Sequence, residues 1–312
     1  MRVGIVGATG YVGRELLRWV ALHPLLELAA AVSTSQAGRR VCEVVPALLG
    51  IVEHVLVPFD AAALSQLDVV FLATPHGAAA PLAEALRNAP CIVDCSADHR
   101  HADGWVYGQP EWCQTLPGAD RIAAPGCFAT AMELALAPLV QAGRVAGPAM
   151  VTAATGSTGS GASPSLATHH PLRATNLKAY KVLAHQHVPE VRTFLGGLGA
   201  APALHFVPVS APIDRGIFAS VLVPVTGNAA QTMHDAYRSA PLVRLRQGSP
   251  ELRHVRGTAF ADLAVHQQDG VASVLVAIDN LGKGAATQAL QAFHRAAGLR
   301  EDLGLRLPAA TP

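Results

Sequence analysis

The chain has 312 residues, enough for two domains at about 150 residues each, and each is long enough to bury its own core. Its 23 Lys and Arg nearly balance 22 Asp and Glu, and this net charge of +1 argues against nucleic-acid binding by bulk charge. Hydrophobic residues make up 51% and charged residues only 14%, which excludes a disordered chain and suggests surface buried between subunits.

The first residues form a buried-strand pattern rather than a secretory signal, since Met1 and Arg2 lead directly into an apolar run. No uninterrupted apolar run approaches the roughly 18 residues of a membrane-spanning helix. Five cysteines, an odd number, suit reduced thiols in the cytosol. We therefore expect a cytoplasmic protein with no membrane partner.

Up to about residue 140, short apolar runs alternate with helical patterns. Strands are predicted at 2–6, 26–32, 55–57, 69–73, 91–94 and 121–124, and helices at 12–22, 78–89 and 128–141. Several strands are apolar on both faces, as parallel strands covered by helices must be. This alternation predicts an α/β domain with a Rossmann-type, doubly wound parallel sheet.

After about residue 147 the predicted strands become longer. They lie at 149–154, 204–209, 217–225, 261–267 and 271–279, with helices at 188–195, 229–240 and 284–297. Asp269-Gly270 marks a hairpin between the last two strands. This half is predicted to be an α+β domain with a mainly antiparallel sheet and helices on one face.

A glycine-rich segment directly follows the first predicted strand and opens the first helix. The segment has the pattern G-x-x-G-x-x-G and consists of Gly7, Ala8, Thr9, Gly10, Tyr11, Val12 and Gly13. Small residues let the backbone approach a pyrophosphate, and the helix N-terminus offers free N–H groups and positive dipole charge. We interpret Gly7, Thr9, Gly10, Tyr11, Val12 and Gly13 as cofactor-binding. The alternative is a merely tight strand–helix turn.

The end of the second predicted strand discriminates between the two nicotinamide dinucleotides. An NAD site usually has Asp or Glu there, whereas this chain has Ser33-Thr34-Ser35 followed by Arg39 and Arg40. Hydroxyl and guanidinium groups suit a 2′-phosphate. The sequence thus favours NADP(H), with Ser33, Ser35 and Arg39 as contacts. The alternative is that Arg39 and Arg40 are merely solvated charges of a loop.

Cys127 follows Pro125-Gly126 at the start of an apolar helical pattern. A thiol at a helix N-terminus gains from the dipole and from free N–H groups, which favour the thiolate and can hold an oxyanion. This position makes Cys127 the candidate nucleophile. The alternative, a small buried hydrophobe, describes the other four cysteines.

A thiolate nucleophile needs a proton carrier, and histidines cluster in the second half. His185 and His187 precede Glu190, and His169-His170 lie about 15 residues upstream. Together with a cysteine they present ligand types that suit zinc. A cysteine, a dinucleotide loop and histidines together favour thioester chemistry followed by hydride transfer, with no metal.

Five segments in order resemble N-acetyl-γ-glutamyl-phosphate reductase, within the aspartate-semialdehyde dehydrogenase superfamily. They are GATGYVG at 7–13, SADHR at 96–100, PGCFATA at 125–131, HQHVPE at 185–190 and NLGKGAA at 280–286. The first and last are shared across the superfamily, whereas the second and fourth are more particular to the glutamyl-phosphate branch. The resemblance spans nearly the whole chain.

The resemblance implies NADPH-dependent reduction of N-acetyl-glutamyl 5-phosphate, an acyl phosphate, to the 5-semialdehyde in arginine biosynthesis. Cys127 would form a thioester with release of phosphate, and hydride would reduce it. We assign the proton transfers to His185, with His187 as the fallback and Glu190 orienting whichever is used.

Other residues match substrate or cofactor positions. Arg100 is our first choice for an anion clamp, with an ion pair to Asp94 or Asp98 as its alternative. Ser157, Ser160 and Arg173 lie in a polar, glycine-rich stretch that suits an active-site loop. By the resemblance, Asn280 meets the nicotinamide amide; its alternative is an ordinary helix-cap region.

The resemblance also implies the domain boundaries and the assembly. An NADP-binding domain of residues 1–126 and 284–312 has the final helix packing back on it, and residues 127–283 form the catalytic and oligomerisation domain. A homodimer or homotetramer is expected.

Three departures from the usual family pattern affect substrate contacts: Ala124 for Asn, Phe128 for Tyr, and His99 for Phe. They leave open an aminoadipyl phosphate one methylene longer, a change worth only about 1–3 kcal/mol in discrimination. Aspartyl phosphate is a further alternative. Alternatives outside this chemistry are an NADP-binding regulator, disfavoured by Cys127, and a zinc hydrolase, disfavoured by the lack of an H-E-x-x-H motif.

Overall fold

The computed structural model describes residues 1–310 as two units, each built on its own sheet. One unit comprises Met1–Gly126 together with Ala285–Arg306. The other comprises Cys127–Gly284 with the described residues from 307 onward. Within residues 1–310, no helix combines the length and apolar character needed to cross a membrane.

The first unit contains a six-stranded, wholly parallel sheet. Its elements in chain order are β1 (Arg2–Val6), α1 (Tyr11–Ala21), β2 (Glu27–Val32), α2 (Val41–Val44), α3 (Ala61–Leu64), β3 (Val69–Leu72), α4 (Ala79–Ala85), β4 (Ile92–Asp94), β5 (Val106–Tyr107) and β6 (Arg121–Ala123). The strand order β2-β1-β3-β4-β6-β5 places β2 and β3 on opposite sides of β1. In such sheets, ligands bind beyond the carboxyl ends of the strands, at the point where the strand order reverses. Here the carboxyl end of β1 at that point leads directly into the glycine loop.

The predicted doubly wound sheet is confirmed, with local corrections. Residues 55–57 form no strand, only isolated bridges, because Val55 pairs with Arg40 and Val57 with Val32, two different segments. The helix predicted at 78–89 ends at Ala85, ahead of Pro90, which disfavours a helical conformation at Ala89. The two short helices α2 and α3 and the strand β5 escaped prediction because they are too short to show periodicity.

The second unit contains a seven-stranded mixed sheet of order β11-β12-β13-β10-β7-β9-β8. Its elements are α5 (Cys127–Gln141), β7 (Ala149–Thr155), α6 (His170–Arg173), β8 (Lys178–Ala179), α7 (His187–Gly196), β9 (Leu204–Ser210), β10 (Ile217–Pro224), α8 (Ala229–Tyr237), β11 (Val243–Leu245), β12 (Ala261–Gln268) and β13 (Val271–Ile278). The mainly antiparallel sheet is confirmed, although β7–β9 and β11–β12 pair in parallel.

Two local features shape this sheet. The β12–β13 hairpin turns at Asp269 and Gly270, with φ of 51° and 75°, which is the left-handed pair that an Asp-Gly hairpin requires. Side chains of β7 alternate strictly between buried and exposed positions. One face therefore packs on the apolar helix α5, while Met150 and Leu222 stand exposed on the other.

The helix predicted at 284–297 is corrected at its start. Gly282–Ala286 forms a π-helical turn, and α9 (Thr287–Ala296), a member of the first unit, begins only after it. The turn forms because Asp279 takes the N–H groups of Leu281 and Gly282 on its carboxylate, while its carbonyl accepts from Gly284 N. α9 packs against β4 and β6.

Candidate functional site

The glycine loop of the first unit is held by backbone contacts that only glycine permits. Gly7 has φ of +83°, and a Cβ there would lie 2.5 Å from the carbonyl oxygen of Ala73. A Cβ on Gly13 would lie 2.2 Å from the carbonyl oxygen of Gly7. Gly10 differs, because its nearest such neighbour is 3.5 Å away. Gly7 and Gly13 therefore build the turn, whereas a Cβ on Gly10, at the start of α1, would make only ordinary van der Waals contacts.

The start of α1 suits a dinucleotide. No side chain caps α1 at Gly10, so the helix N-terminus is available to an anion. Nearby, Thr9 Oγ1 lies 3.2 Å from Ser33 Oγ. The buried Thr74 Oγ1, just after β3, has no hydrogen-bond partner within residues 1–310. The segment after β3 contacts the glycine loop at Gly7, so an orphaned hydroxyl and an uncapped helix in neighbouring segments suit a bound pyrophosphate.

The residues predicted to select the 2′-phosphate lie after β2. Ser33 is buried, whereas Ser35 and Arg39 are exposed. Arg39 donates to Gln36 Oε1 at 2.8 Å and lies 3.6 Å from the Glu43 carboxylate. Arg40 pairs with Glu53. Arg39 thus remains reachable from solvent, held by weak surface contacts.

The segment Ser96–Arg100 folds around a fully buried carboxylate. Asp94 accepts hydrogen bonds from Ser96 N at 2.7 Å, Ser96 Oγ at 2.9 Å and His99 Nδ1 at 2.6 Å. His99 stacks on Trp105. Asp98 instead accepts from backbone N–H groups where α4 begins. Arg100 is buried and donates from Nε to the Ala124 carbonyl at 3.0 Å.

Cys127 is the first residue of α5 and is half-buried. The sequence predicts a helix from 128; the extra residue places the thiol in the first turn, where the dipole acts most strongly. A Cβ on Gly284 would lie 2.9 Å from Cys127 Cβ, so the backbone there packs directly on the cysteine. Phe128 sets its ring edge-on to His185, with centroids 5.4 Å apart.

His185 lies in an aromatic cluster of the second unit. Its ring is 4.7 Å from that of His187 and 5.9 Å from that of Tyr180. Nδ1 accepts a hydrogen bond from the His187 backbone N–H at 3.2 Å, which orients the imidazole. Burial, and then the positive charge of Lys181, lower the pKa of His185 to about 4. The ring is therefore neutral at neutral pH, and because Nδ1 accepts a hydrogen bond its proton lies on Nε2.

His187 and Glu190 lie in the first turn of α7, and both are buried. His169 and His170 are exposed. In the part of the chain from 1 to 310, no group of three or more His, Cys, Asp or Glu side chains is arranged to hold a metal ion.

A cavity of about 720 Å³ opens beside His185. Its wall includes three cationic residues, Arg173, Lys178 and Lys181, and no Asp or Glu among the described residues. Arg173 donates to Ser210 Oγ and to the carbonyls of Thr155 and Ala211. None of these partners is an anion, and the buried Arg173 Nε has no partner within residues 1–310. The cavity is thus a cationic site with uncompensated charge.

The remaining predicted residues border this region differently. Ser160 lines the cavity; Ser157 donates its backbone N–H to Ile213 instead and is absent from the wall. The Asn280 Oδ1 accepts from Gly216 N at 2.7 Å, and its Nδ2 donates to Thr158 Oγ1 at 3.0 Å. One Asn280 N–H remains for a ligand.

Sequence reasoning missed several residues here. Asp279 is fully buried, is paired with Arg215 at 2.6 Å, and also accepts from Gly257 N. Tyr180 and Lys181 line the cavity. For Asp279 the sequence offered a signal, because it directly precedes the candidate residue Asn280. Tyr180 and Lys181 belong to no recognisable motif.

Comparisons with known proteins cover the whole chain. The semialdehyde dehydrogenase NAD-binding domain matches residues 2–116, and the semialdehyde dehydrogenase dimerisation domain matches residues 127–280. The N-acetyl-γ-glutamyl-phosphate reductase of Halorhodospira halophila is 41% identical over 343 residues, with 100% of both chains covered. That of Salinispora arenicola is 43% identical over 344 residues, covering 100% of this chain and 99% of the relative.

Among solved structures, the aspartate semialdehyde dehydrogenase of Candida albicans with NADP is similar at a TM-score of 0.74. The match covers 95% of this chain and 99% of that one, at 14% identity. At so low an identity the likeness concerns the fold alone.

Proposed function

Because the chain belongs to the N-acetyl-γ-glutamyl-phosphate reductase family, we propose that Cys127 is its nucleophile and His185 its acid–base group. Membership confirms the resemblance carried by the five motifs and makes the protein an oxidoreductase of amino-acid biosynthesis. It also sets aside the regulator and the zinc hydrolase. The proposed reaction is the reduction of N-acetyl-glutamyl 5-phosphate to the 5-semialdehyde.

The cationic cavity beside His185 is the observation that supports this function most directly. The proposed substrate carries a carboxylate and a phosphate, and Arg173, Lys178 and Lys181 line the cavity, whose described wall includes no acidic residue. Since the net charge of the whole chain is only +1, attraction of an anion must be local. Arg173, whose guanidinium has no carboxylate partner in residues 1–310, is the best-placed clamp.

The chain's own residues then account for the bond changes. His185 Nδ1, once it releases the His187 N–H, takes the thiol proton as Cys127 sulfur attacks the acyl carbon, and it returns that proton to the departing phosphate. Reduced nicotinamide dinucleotide, when bound, supplies the hydride that converts the thioester to the aldehyde level. The carbonyl then re-forms as the carbon–sulfur bond breaks and Cys127 leaves as the thiolate, which a proton from solvent, passed through His185, returns to the thiol.

Further contacts extend this proposal. Arg100, Ser157, His187 and Glu190 are proposed to hold or orient the substrate, and Asn280 to offer its remaining N–H to the nicotinamide amide. His187 is the fallback acid–base group, since it lies next to His185 in the same cluster.

NADP(H) is the proposed cofactor, supported by the exposed Arg39 and the hydroxyls of Ser33 and Ser35 after β2. Arg39→Ala is expected to raise the KM for NADPH about tenfold and leave that for NADH unchanged, because only NADPH carries the 2′-phosphate. Arg40→Ala, which removes an arginine already paired with Glu53, is the matched control. Equal KM values for both cofactors in the unaltered protein would contradict this choice.

The nucleophile is tested by running the reaction in reverse with the semialdehyde, NADP⁺ and phosphate, following NADPH absorbance. Cys127→Ser is expected to abolish activity and retain cofactor binding, because the hydroxyl is a far weaker nucleophile. Cys113→Ser, at another half-buried cysteine, which hydrogen-bonds Thr115, should retain activity. If Cys127→Ser kept most activity, the thioester mechanism would be wrong.

The same assay ranks substrates. N-acetylglutamate semialdehyde is expected to exceed its aminoadipate homologue by about tenfold in kcat/KM, and aspartate semialdehyde by more, because a methylene contributes about 1–3 kcal/mol. A preference for the aminoadipate homologue would identify the phosphate of the longer acid as the substrate.

We propose further that the protein acts in the cytoplasm as a homodimer or homotetramer. The second unit matches a dimerisation domain, and Met150 and Leu222 stand exposed on the open face of its sheet. Light scattering of the protein and of Leu222→Arg tests the assembly: the charge should dissociate it, and a monomeric parent protein would contradict the proposal.

A further inference from the structure

The turn between β8 and α7 contains two bulky residues in a conformation that side chains rarely adopt. Lys181 has φ of 44° and Leu183 φ of 58°, both in the left-handed region. Hydrogen bonds hold the turn in place: Tyr180 N donates to Pro208, Leu183 N to Phe206 and Ala184 N to Lys181, each within 3.1 Å. Strain maintained in this way is found most often at functional sites.

This turn brings Tyr180 and His185 to the same cavity wall. Their rings are 5.9 Å apart and inclined by 70°. The Tyr180 ring is half-buried, yet within residues 1–310 no group exchanges a hydrogen bond with its hydroxyl. A partly buried tyrosine hydroxyl usually finds a partner. Here Tyr180 lines the cavity, whose cationic wall suits an anionic substrate.

The electrostatics indicate what that hydroxyl can do. Burial, and in second place the negative charge of the nearby Cys127 thiolate, raise the pKa of Tyr180 to about 12. Tyr180 therefore keeps its proton at neutral pH. Its hydroxyl can then donate a hydrogen bond, and it lies on the cavity wall with His185.

We propose that Tyr180 donates a hydrogen bond to the acyl oxygen of the group bound to Cys127, stabilising the negative charge on that oxygen. The charge appears when a nucleophile or hydride adds to the acyl carbon and the carbonyl electron pair moves to oxygen. The proton stays on Tyr180 throughout, and the hydrogen bond weakens when the carbonyl re-forms. This inference rests on the proposed function, because it requires an acyl group on Cys127.

Tyr180→Phe tests the proposal, because phenylalanine keeps the ring beside His185 and removes only the hydroxyl. In the reverse assay we expect kcat to fall 10- to 100-fold with KM within twofold, since the lost hydrogen bond acts in the transition state. Alkylation of Cys127 by iodoacetamide, which needs no acyl oxygen, should proceed at the parent rate. Tyr237→Phe is the matched control: Tyr237 donates to the Leu134 carbonyl in the core, so its loss should lower stability but leave kcat unchanged.

Three outcomes would overturn the inference. Full activity of Tyr180→Phe would show that the ring alone matters, and Tyr180→Leu would then be the defective variant. A raised KM with unchanged kcat would make Tyr180 a ground-state contact. Slower alkylation would mean that Tyr180 acts on the thiol itself. Failure of the proposed function looks different, because the unaltered protein would then show no Cys127-dependent reduction of NADP⁺.

Discussion

Two turns with left-handed backbone serve the proposed chemistry, and they are built from opposite kinds of residue. In the first unit, the left-handed position of the cofactor loop is Gly7, and Gly13 passes within contact of its carbonyl. In the second unit, the left-handed positions are Lys181 and Leu183, where glycine would relieve the strain. The cofactor loop thus adopts the left-handed conformation at a glycine, which has no side chain to oppose it. The second turn adopts the same conformation at residues whose side chains disfavour it.

The difference follows from what each turn must present. A pyrophosphate is bound by backbone N–H groups at close range, so a Cβ that lies between the backbone and the ligand weakens binding. The second turn presents the side chains of Tyr180, Lys181 and His185 to a cavity, so its value lies in holding them still. A glycine there would relieve strain and also loosen the frame.

The glycine turn should fail most severely when a Cβ is added. Gly13→Ala is expected to destabilise the first unit by about 3 kcal/mol, because the new methyl would overlap the Gly7 carbonyl. Gly10→Ala should leave stability nearly unchanged, since its Cβ would make only ordinary contacts, and should weaken cofactor binding because it adds a methyl group at the N-terminus of α1. Thermal unfolding and a cofactor titration separate the two, and equal destabilisation would break the distinction between turn-building and ligand-facing glycines.

Acid should lower the stability of the protein through the buried His185, which follows the turn between β8 and α7. The pKa of His185 is lowered to about 4, so between pH 6.5 and 4 the unfolded chain binds a proton that the folded chain does not. Stability therefore falls as pH drops through this window, by on the order of 2 kcal/mol for this group.

The buried His294 of α9, whose pKa is lowered in the same way, adds a similar loss. Denaturant unfolding from pH 7 to 4.5 measures the sum. His185→Gln should flatten the curve, and an unchanged slope would show that His185 is not desolvated.

The smallest effect is expected where strain is relieved. Leu183→Gly should change stability by less than about 1 kcal/mol, because the relief of left-handed strain is offset by the entropy of a freer unfolded chain. The side chain is largely exposed, so little packing is lost. We expect kcat to fall severalfold as Tyr180 and His185 lose their rigid frame. Leu183→Val, which cannot relieve the strain, should instead destabilise the protein, and full activity of Leu183→Gly would argue that the strain is incidental.

Much of the fold was predictable because its signals are local. β1 runs from Arg2 to Val6 as predicted, α1 differs by one residue at each end, and the Asp269-Gly270 hairpin forms where its two turn residues stand. Hydrophobic periodicity and turn chemistry are written in neighbouring residues. Where long-range context decides, prediction failed: residues 55–57 have the composition of a strand but find no continuous partner.

The candidate site divides in the same way. Cys127 was identifiable because its position at a helix N-terminus follows from the sequence around it. Tyr180 was not, because its importance comes from a strained turn and from the cavity that β7, β9 and the loop before β8 enclose. Arg215 was missed as well, since its partner Asp279 lies 64 residues further on.

By itself, the sequence determined the alternation of strands and helices, the glycine loop, the nucleophile candidate and the family. These depend on residues adjacent in the chain, where sterics and periodicity act directly. Only the tertiary structure decided which cations converge, why His185 is neutral, and that the Tyr180 hydroxyl has no hydrogen-bond partner among residues 1–310. Burial and charge depend on neighbours distant in sequence, and only folding brings those neighbours together.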